Sequence, residues 1–406
     1  MVTGEYPPLR GGVGDFSEGV ARALSEAGRR VTVWTTKEAD NRIARTPSSS
    51  QTGLESCGTS EIRRFDADFD CQGLVRLGQG IDGCDTPRRI LIQYVPNAFG
   101  FKGMNLAFCG WVRKRKILGD DVRVVFHEPF FYFALHGPHR NLLALVQRLM
   151  AWILMRGARI VYTSTPTWER YLRPYARPGN PRFVWLPMPA TLPVVDDPEA
   201  VRKKREGYLT CNGNANLFGH FGTYGTDIAE PLEALLPRLL NARPSAHFLL
   251  IGRRSDRFCT QFQSRHPQLA TRVHATGDLE PREASLHIQA CDVLVQPYPD
   301  GVTARRTSVI NLLAHGCAVV TTKGLLTEDF WGQSKSCLLA DTVDVKGIVD
   351  AAIEAGSSQQ SIDAWGNRAK AFYNDTFHPH RLMQCLMLEE ENVSPQRHGG
   401  LRRKGV

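Results

Sequence analysis

Short apolar runs rich in Val, Ile, Leu and Phe recur along the chain, separated by stretches whose apolar residues repeat at helical spacing. In the first half, Arg30–Thr35, Arg89–Val95, Val122–His127 and Arg159–Thr163 predict strands, with weaker ones at Glu61–Phe65 and Arg182–Leu186. Phe16, Val20, Ala21, Leu24 and Ala27 share one face of a predicted helix over Asp15–Ala27, and Asn141–Arg156 predicts another. The second half repeats the alternation. Its strands are Leu217–Phe221, His247–Ile251, Arg272–Ala275, Val293–Gln296, Ala318–Thr321 and Cys337–Ala340; its helices are Pro231–Asn241, Pro281–Ala290, Ser308–Ala314 and Val345–Glu354. Alternating strands and helices predict an α/β protein with parallel sheets and crossover helices. Between the halves, 187–216 reads as a linker, Pro-rich and then highly charged. Residues 42–88, rich in Ser, Gly and Asp, read as irregular structure around one βα unit.

Length fits this picture: 406 residues suggest two or three domains at roughly 100–200 residues each. Hydrophobic residues make up 42% and charged residues 22%, which excludes wholesale disorder. The longest apolar stretch, Leu142–Met155, is interrupted by Gln147 and Arg148 and reads as a buried helix, not a membrane span. The N-terminus lacks the pattern of a secretory signal, and the ten cysteines include no C-x-x-C pair, so reduced core thiols in a cytoplasmic protein are expected. Four of the nine net positive charges lie after Glu391, in a tail expected to be disordered. The rest are scattered and carry no nucleic-acid motif, so nucleic acid is not an expected partner.

Several Gly-rich, polar loops fall at predicted strand ends. Gly4–Phe16 contains Gly11, Gly12 and Gly14 before a helix, an arrangement whose N–H groups suit an anion such as phosphate; a plain turn capped by Asp15 is the alternative. It is not a dinucleotide fingerprint, because Ser17 stands at the third glycine position; a dehydrogenase is therefore not expected. Only Met1–Thr3 precede this turn where a central strand of about five residues is usual, which predicts either a very short strand or a chain that begins late. His127 and Glu128 end a strand, where ligands of open α/β sheets bind. The richest segment runs from Val295 to Ser308. There Asp300, Gly301, Thr303, Arg305, Arg306 and Thr307 lead into a helix, and arginine forks with helix N–H groups make a diphosphate site. Weaker candidates are Phe218–Thr226 with His220, Leu249–Ser255 with Arg253 or Arg254, and His274–Glu280 with Gly277 and Leu279. Residues 99–116 join aromatic residues to four basic ones; this composition suits an anionic membrane surface, or else an acceptor-side loop and a solvated helix end.

With these residues in place, the chain resembles GT-B glycosyltransferases of the large retaining family 4 type, from Gly4 to about residue 388. The resemblance rests on Gly4–Phe16, on His127-Glu128-Pro129, and on Gly277–Thr322 with Ala290-Cys-Asp-Val-Leu-Val-Gln-Pro and Ala314-His-Gly-Cys-Ala-Val-Val. It implies two Rossmann-like doubly wound domains facing a cleft: 1–190 on the acceptor side, 191–216 as linker, 217–364 for the donor, a helix over 365–390 returning to the first domain, and a tail over 391–406. It implies sugar transfer with retention from a nucleotide-diphosphate sugar to a glycan, lipid or small-molecule acceptor, without an obligatory metal or other cofactor. It also implies work in cell-surface polysaccharide biosynthesis, in the cytoplasm or at the inner membrane face. Gly12 and Gly14 would approach the donor diphosphate or the acceptor, His127 would sit beside the reacting sugar, and Gly277–Leu279 would hold the base.

The sequence departs from that pattern. Two glutamates usual before the Ala-x-Gly segment are replaced by Thr303 and Asn311, read as contacts to a sugar hydroxyl and to the ribose. His220 and Tyr224 stand where the family has Arg and Lys, so Arg305 and Arg306, with Arg253, are expected to supply the positive charge. These departures also keep open a non-catalytic nucleotide-sugar- or glycan-binding protein on the same fold.

Overall fold

The computed structural model describes residues 1–8, 11–36, 56–57, 60–65, 68–133, 138–178, 180–209, 215–342 and 344–387. The expected tail over 391–406 lies outside them.

Two sheets form. The first contains β1 (Val2–Thr3), β2 (Val31–Thr36), β3 (Ser56–Cys57), β4 (Ser60–Phe65), β5 (Arg89–Tyr94), β6 (Asp121–Phe126), β7 (Ile160–Thr163) and β8 (Arg182–Trp185), in the order β3-β4-β2-β1-β5-β6-β7-β8. All neighbours are parallel except β3 and β4. The second contains β9 (Leu217–Phe221), β10 (His247–Ile251), β11 (Val273–Ala275), β12 (Val293–Gln296), β13 (Ala318–Lys323) and β14 (Leu338–Asp341), all parallel, in the order β11-β10-β9-β12-β13-β14. Both orders reverse direction next to the first strand, at β1/β5 and at β9/β12. These are the switch points where doubly wound sheets open a crevice at the strands' carboxyl ends.

The strands are continuous apolar runs because helices cover both faces of the sheets. Ile90, Leu91 and Ile92 of β5 and Val122, Val124, Val125 and Phe126 of β6 are all buried. Each such side chain contributes about 1.5–3 kcal/mol relative to exposure. Central β1 is two residues long. Val2 pairs with Trp34 and Ile92, Thr3 pairs with Gln93, and the Met1 amino group reaches Thr32 O at 2.6 Å. That amine is buried, and burial pushes its pKa down to about 5.

Several expectations need correction. In the stretch 42–88, expected as irregular structure around one βα unit, the strand Ser60–Phe65 is followed by a helix over Cys71–Asp82, capped by Asp70 through Gly73 N at 2.8 Å and buried through Leu74, Leu77 and Ile81. Its glycines obscure the helical pattern; Gly80 is required because a side chain there would run into the Trp34 ring. Within 99–116, where one of the two readings is an acceptor-side loop and a solvated helix end, the helix is longer than an end: it runs over Leu106–Ile117, capped by Asn105. The expected linker holds a helix, Pro198–Tyr208, tied to the second sheet where Arg205 meets Asp292 and the carbonyls of Ala215 and Ala290. The C-terminal helix is two helices, Gln359–Thr376 and Pro379–Met387. Pro379 cannot continue the first, having no N–H to donate. The second packs on the helix Gly12–Glu26 of the first sheet, and Arg123 of β6 donates to Leu386 O at 3.3 Å. Between the sheets, Trp185 stacks on Phe330 with centroids 5.3 Å apart, beside Trp331 and Phe377.

Candidate functional site

The carboxyl ends of the two sheets face one cleft. On the first side, β6 delivers His127. Its Nε2 lies 2.8 Å from Gln93 Oε1, its ring meets the edge of Phe16 at 5.1 Å, and its carbonyl accepts from Trp168 Nε1 at 2.9 Å. Phe16 lies in the first turns of the helix Gly12–Glu26, so the Gly12–Gly14 turn adjoins the same edge. Gly12 is exposed there, with nothing near the position a side chain would occupy, whereas Gly14 is buried.

On the second side, the loop after β12 carries the two arginines. It is anchored on β13: Val302 N donates to Thr322 O at 2.8 Å, and the Thr321 hydroxyl donates to Gln296 O at 2.8 Å. Gly301 (φ 87°) sits against Gly324, leaving no room for a side chain. Arg305 pairs across the cleft with Glu128 at 2.9 Å and lies 5.3 Å from the Trp168 ring. Arg306 pairs with Asp300 and lies 4.3 Å over Tyr298, whose hydroxyl is 2.5 Å from Ser308 Oγ. Stacking and carboxylate pairing hold both forks at the start of the helix Thr307–Ala314. The first N–H groups of that helix have no acceptor within it, and its dipole favours an anion.

Two cavities flank the arginines. One of about 100 Å³ is lined from both domains by Thr165, Trp168, Asp300, Thr303, Arg305 and Arg306. The other, about 190 Å³, is lined by His220, Gly222, Gln296, Tyr298, both arginines, Thr307 and Ser308. His220 is buried, and its Nδ1 has no hydrogen-bond partner among the described residues. Burial pushes its pKa down to about 3; burial, and secondarily the Arg305 charge, does the same to His127. Both imidazoles are therefore neutral at pH 7. Their folded pKa lies below the usual 6.5, so the stability they contribute is fully present above that value and is lost as pH falls towards 3. Unfolding free energy should fall across this window by up to about 1.4 kcal/mol per pH unit per histidine. Denaturant titrations of His127→Gln and His220→Gln between pH 7 and 4 should each show a shallower fall; a slope equal to the parent's would refute the buried neutral state.

The structure thus gathers His127, Glu128, His220, Asp300, Thr303, Arg305, Arg306 and Thr307 around one cleft. Gly277 and Leu279 follow β11 at the same sheet edge, and the Gly277 N–H donates to Ser255 Oγ at 2.9 Å. Arg253 is exposed in the turn after β10 and lines neither cavity. Asn311 is the clear departure. Its Oδ1 accepts from Thr191 N and Leu192 N, both at 2.9 Å, and its Nδ2 donates to Thr191 Oγ1, so it clamps the inter-domain segment instead of facing a ribose. Asn311→Ala should cost about 2–3 kcal/mol of stability by orphaning two N–H groups. Nucleotide affinity should stay unchanged, and an affinity loss without a stability loss would reverse that assignment.

Sequence reading missed Thr165, Trp168, Tyr298 and Glu328. Glu328 is buried, accepting from Trp331 Nε1 at 2.9 Å, from Ala304 N at 3.2 Å and from the Thr165 hydroxyl of the first domain. Tyr298, in Gln-Pro-Tyr-Pro after a strand, was the one with a local signal. Among the described residues no three His, Cys, Asp or Glu side chains gather as a metal site, and no helix is long and apolar enough to cross a membrane.

Two parallel doubly wound sheets facing a cleft, with a C-terminal helix returned to the first, define the GT-B class of folds. Residues 215–357, spanning most of the second domain, match the family model described as glycosyl transferases group 1. Among solved structures, a sucrose-phosphate synthase from Thermosynechococcus elongatus is similar at TM-score 0.69 and 14% identity, over 96% of this chain and 95% of that one. HepE of Anabaena, in complex with UDP, is similar at TM-score 0.66 and 15% identity, over 96% and 98%. A UDP-forming α,α-trehalose-phosphate synthase from Burkholderia vietnamiensis is similar at TM-score 0.63 and 12% identity, over 97% and 96%. At these identities the likeness establishes the fold. No curated protein matches the chain in sequence.

Proposed function

We propose that the chain transfers a sugar, with retention, from a nucleotide-diphosphate sugar held mainly by the second domain to a glycan, lipid-linked or small-molecule acceptor entering past the first. One observation carries this reading: Arg305 and Arg306 converge at a helix N-terminus beside His220, whose buried Nδ1 has no hydrogen-bond partner among the described residues, in a cleft walled by both domains. Transfer breaks the bond between the sugar's anomeric carbon and the diphosphate, so charge grows on the leaving oxygen. Two guanidiniums and helix N–H groups, fixed before reaction, stabilise that charge more than they stabilise the bound donor. Trp168 and Thr165 close the cavity from the acceptor side and limit water. The match to glycosyl transferases group 1 over the second domain and the UDP held by HepE support a nucleotide donor. No step of this reading calls for a metal.

Glu128 and Asp300 now occupy the arginines, so the donor diphosphate must displace or join them. The absence of both family glutamates at 303 and 311 favours one second reading, a protein that binds nucleotide sugar without transfer. Incubation with UDP-, GDP-, ADP- and dTDP-sugars, followed by assay of released nucleoside diphosphate, separates the two. Slow hydrolysis of one donor, blocked in the Arg305→Ala/Arg306→Ala variant, is expected; saturable binding with no turnover across donors and acceptors would establish the second reading.

A further inference from the structure

The helix Pro138–Gly157 is buried on one face only. Leu142, Leu145, Leu149 and Trp152 are 59%, 58%, 46% and 37% exposed. Their spacing of i, i+3, i+7 and i+10 lines them up in a stripe about 15 Å long on the outer surface of the first domain. The expectation of a fully buried helix therefore fails on this face. A solvent-facing helix normally shows water charged residues, and four large apolar ones in a row point to a contact.

The stripe does not stand alone. Gln147 of this helix donates to Gly103 O at 3.4 Å, and Lys116 donates to the carbonyls of Arg156 and Ala158, so the helix Leu106–Ile117 and the loop before it lie alongside. That loop adds exposed Phe101 and Met104, and the first residue of the helix adds exposed Leu106. Towards the cleft, Arg148 binds Phe131 O at 2.9 Å and lies 3.9 Å over the ring of exposed Phe133, so the apolar surface reaches the segment just after His127 and Glu128.

Charge narrows the occupant. Residues 95–119 and 138–159 contain no Asp or Glu at all, while Lys102, Arg113, Lys114, Arg140, Arg156 and Arg159 belong to them. Burial lowers the pKa of Arg156, and the nearby charges of Arg177 and Arg113 lower it further, marking a cationic cluster at one end of the stripe. A second copy of this chain would present the same acid-free, positively charged segments and repel. A partner that is apolar in depth and anionic at its surface complements both properties.

We propose that this face, centred on Leu142–Trp152 and flanked by residues 101–114, docks the protein on the surface of an anionic lipid bilayer. The inference goes beyond sugar transfer and does not depend on it. The helix lies in the headgroup plane with its leucines and Trp152 inserted, and the lysines and arginines meet lipid phosphates. The cleft mouth at Phe133 then sits next to the bilayer.

Co-sedimentation of the full chain with vesicles tests this. Phosphatidylcholine vesicles containing phosphatidylglycerol should pellet the protein, pure phosphatidylcholine vesicles about tenfold less, and binding should weaken as salt shortens the Debye length below about 10 Å. Leu145→Glu/Leu149→Glu should reduce pelleting at least about tenfold while Tm and nucleotide binding stay at parental values. Arg113→Glu/Lys114→Glu should erase the preference for anionic vesicles. The proposal is overturned if anionic vesicles do not pellet the protein, if either double variant pellets like the parent, or if the leucine variant instead converts a dimer into a monomer.

Discussion

Arg305→Ala/Arg306→Ala should bind nucleoside diphosphate about a hundredfold to a thousandfold more weakly than the parent. A hydrogen bond to a charged group contributes about 1.5–3 kcal/mol, and each guanidinium offers a fork of them to the diphosphate. The substitution also frees Glu128 and Asp300, whose negative charges would then face the ligand. Stability should barely move, because both arginines are partly exposed and such pairs contribute about 0–1 kcal/mol. Calorimetric titration with UDP and the other nucleoside diphosphates, beside a thermal melt, reads both quantities. Affinity within about threefold of the parent would remove the diphosphate from these residues.

Glu328→Ala should have the largest effect on stability, about 3 kcal/mol. It leaves the N–H of Ala304, the indole N–H of Trp331 and the Thr165 hydroxyl without their acceptor inside the domain contact. At about 2–4 °C per kcal/mol for domains of this size, Tm should fall by roughly 6–12 °C. Transfer should suffer too, because Ala304 is next to Arg305 and its N–H is what Glu328 holds. Glu328→Gln distinguishes charge from shape. Burial, the largest influence, raises the Glu328 pKa above the usual 4.5 against the pull of its hydrogen bonds. A raised folded-state pKa means that the folded chain holds this proton more tightly, so the stability it contributes is full below about 4.5 and is lost as pH rises through the shifted value. The stability of Glu328→Gln relative to the parent should therefore improve from pH 4 to pH 7. A constant difference would show that the carboxylate is not held in a costly ionised state.

The sheets were legible because buried parallel strands must be apolar throughout, and apolar runs such as Arg89–Val95 and Val293–Gln296 are what the eye finds in sequence. The bounds of helices with a mixed composition were not. Cys71–Asp82 carries three glycines, one of them demanded by Trp34, and that requirement exists only once the two elements touch. The arginine loop was legible from local chemistry, a strand end followed by Gly301, two arginines and a helix. Its opposing wall was not. Thr165 and Glu328 are 163 positions apart and meet only because the domains face one another. Asn311 misled for a related reason: its place in a family motif suggested a ribose, but its partners Thr191 and Leu192 come from the segment joining the domains.

Direct titration of the unmodified chain with UDP, GDP, ADP and dTDP bears hardest on the claim that this cleft is built for a nucleotide diphosphate. One of the four should bind saturably at a single site, more weakly as salt rises, and should raise Tm as its concentration passes Kd. No saturable binding by any of them, at concentrations where the protein is folded, would contradict the account at its centre.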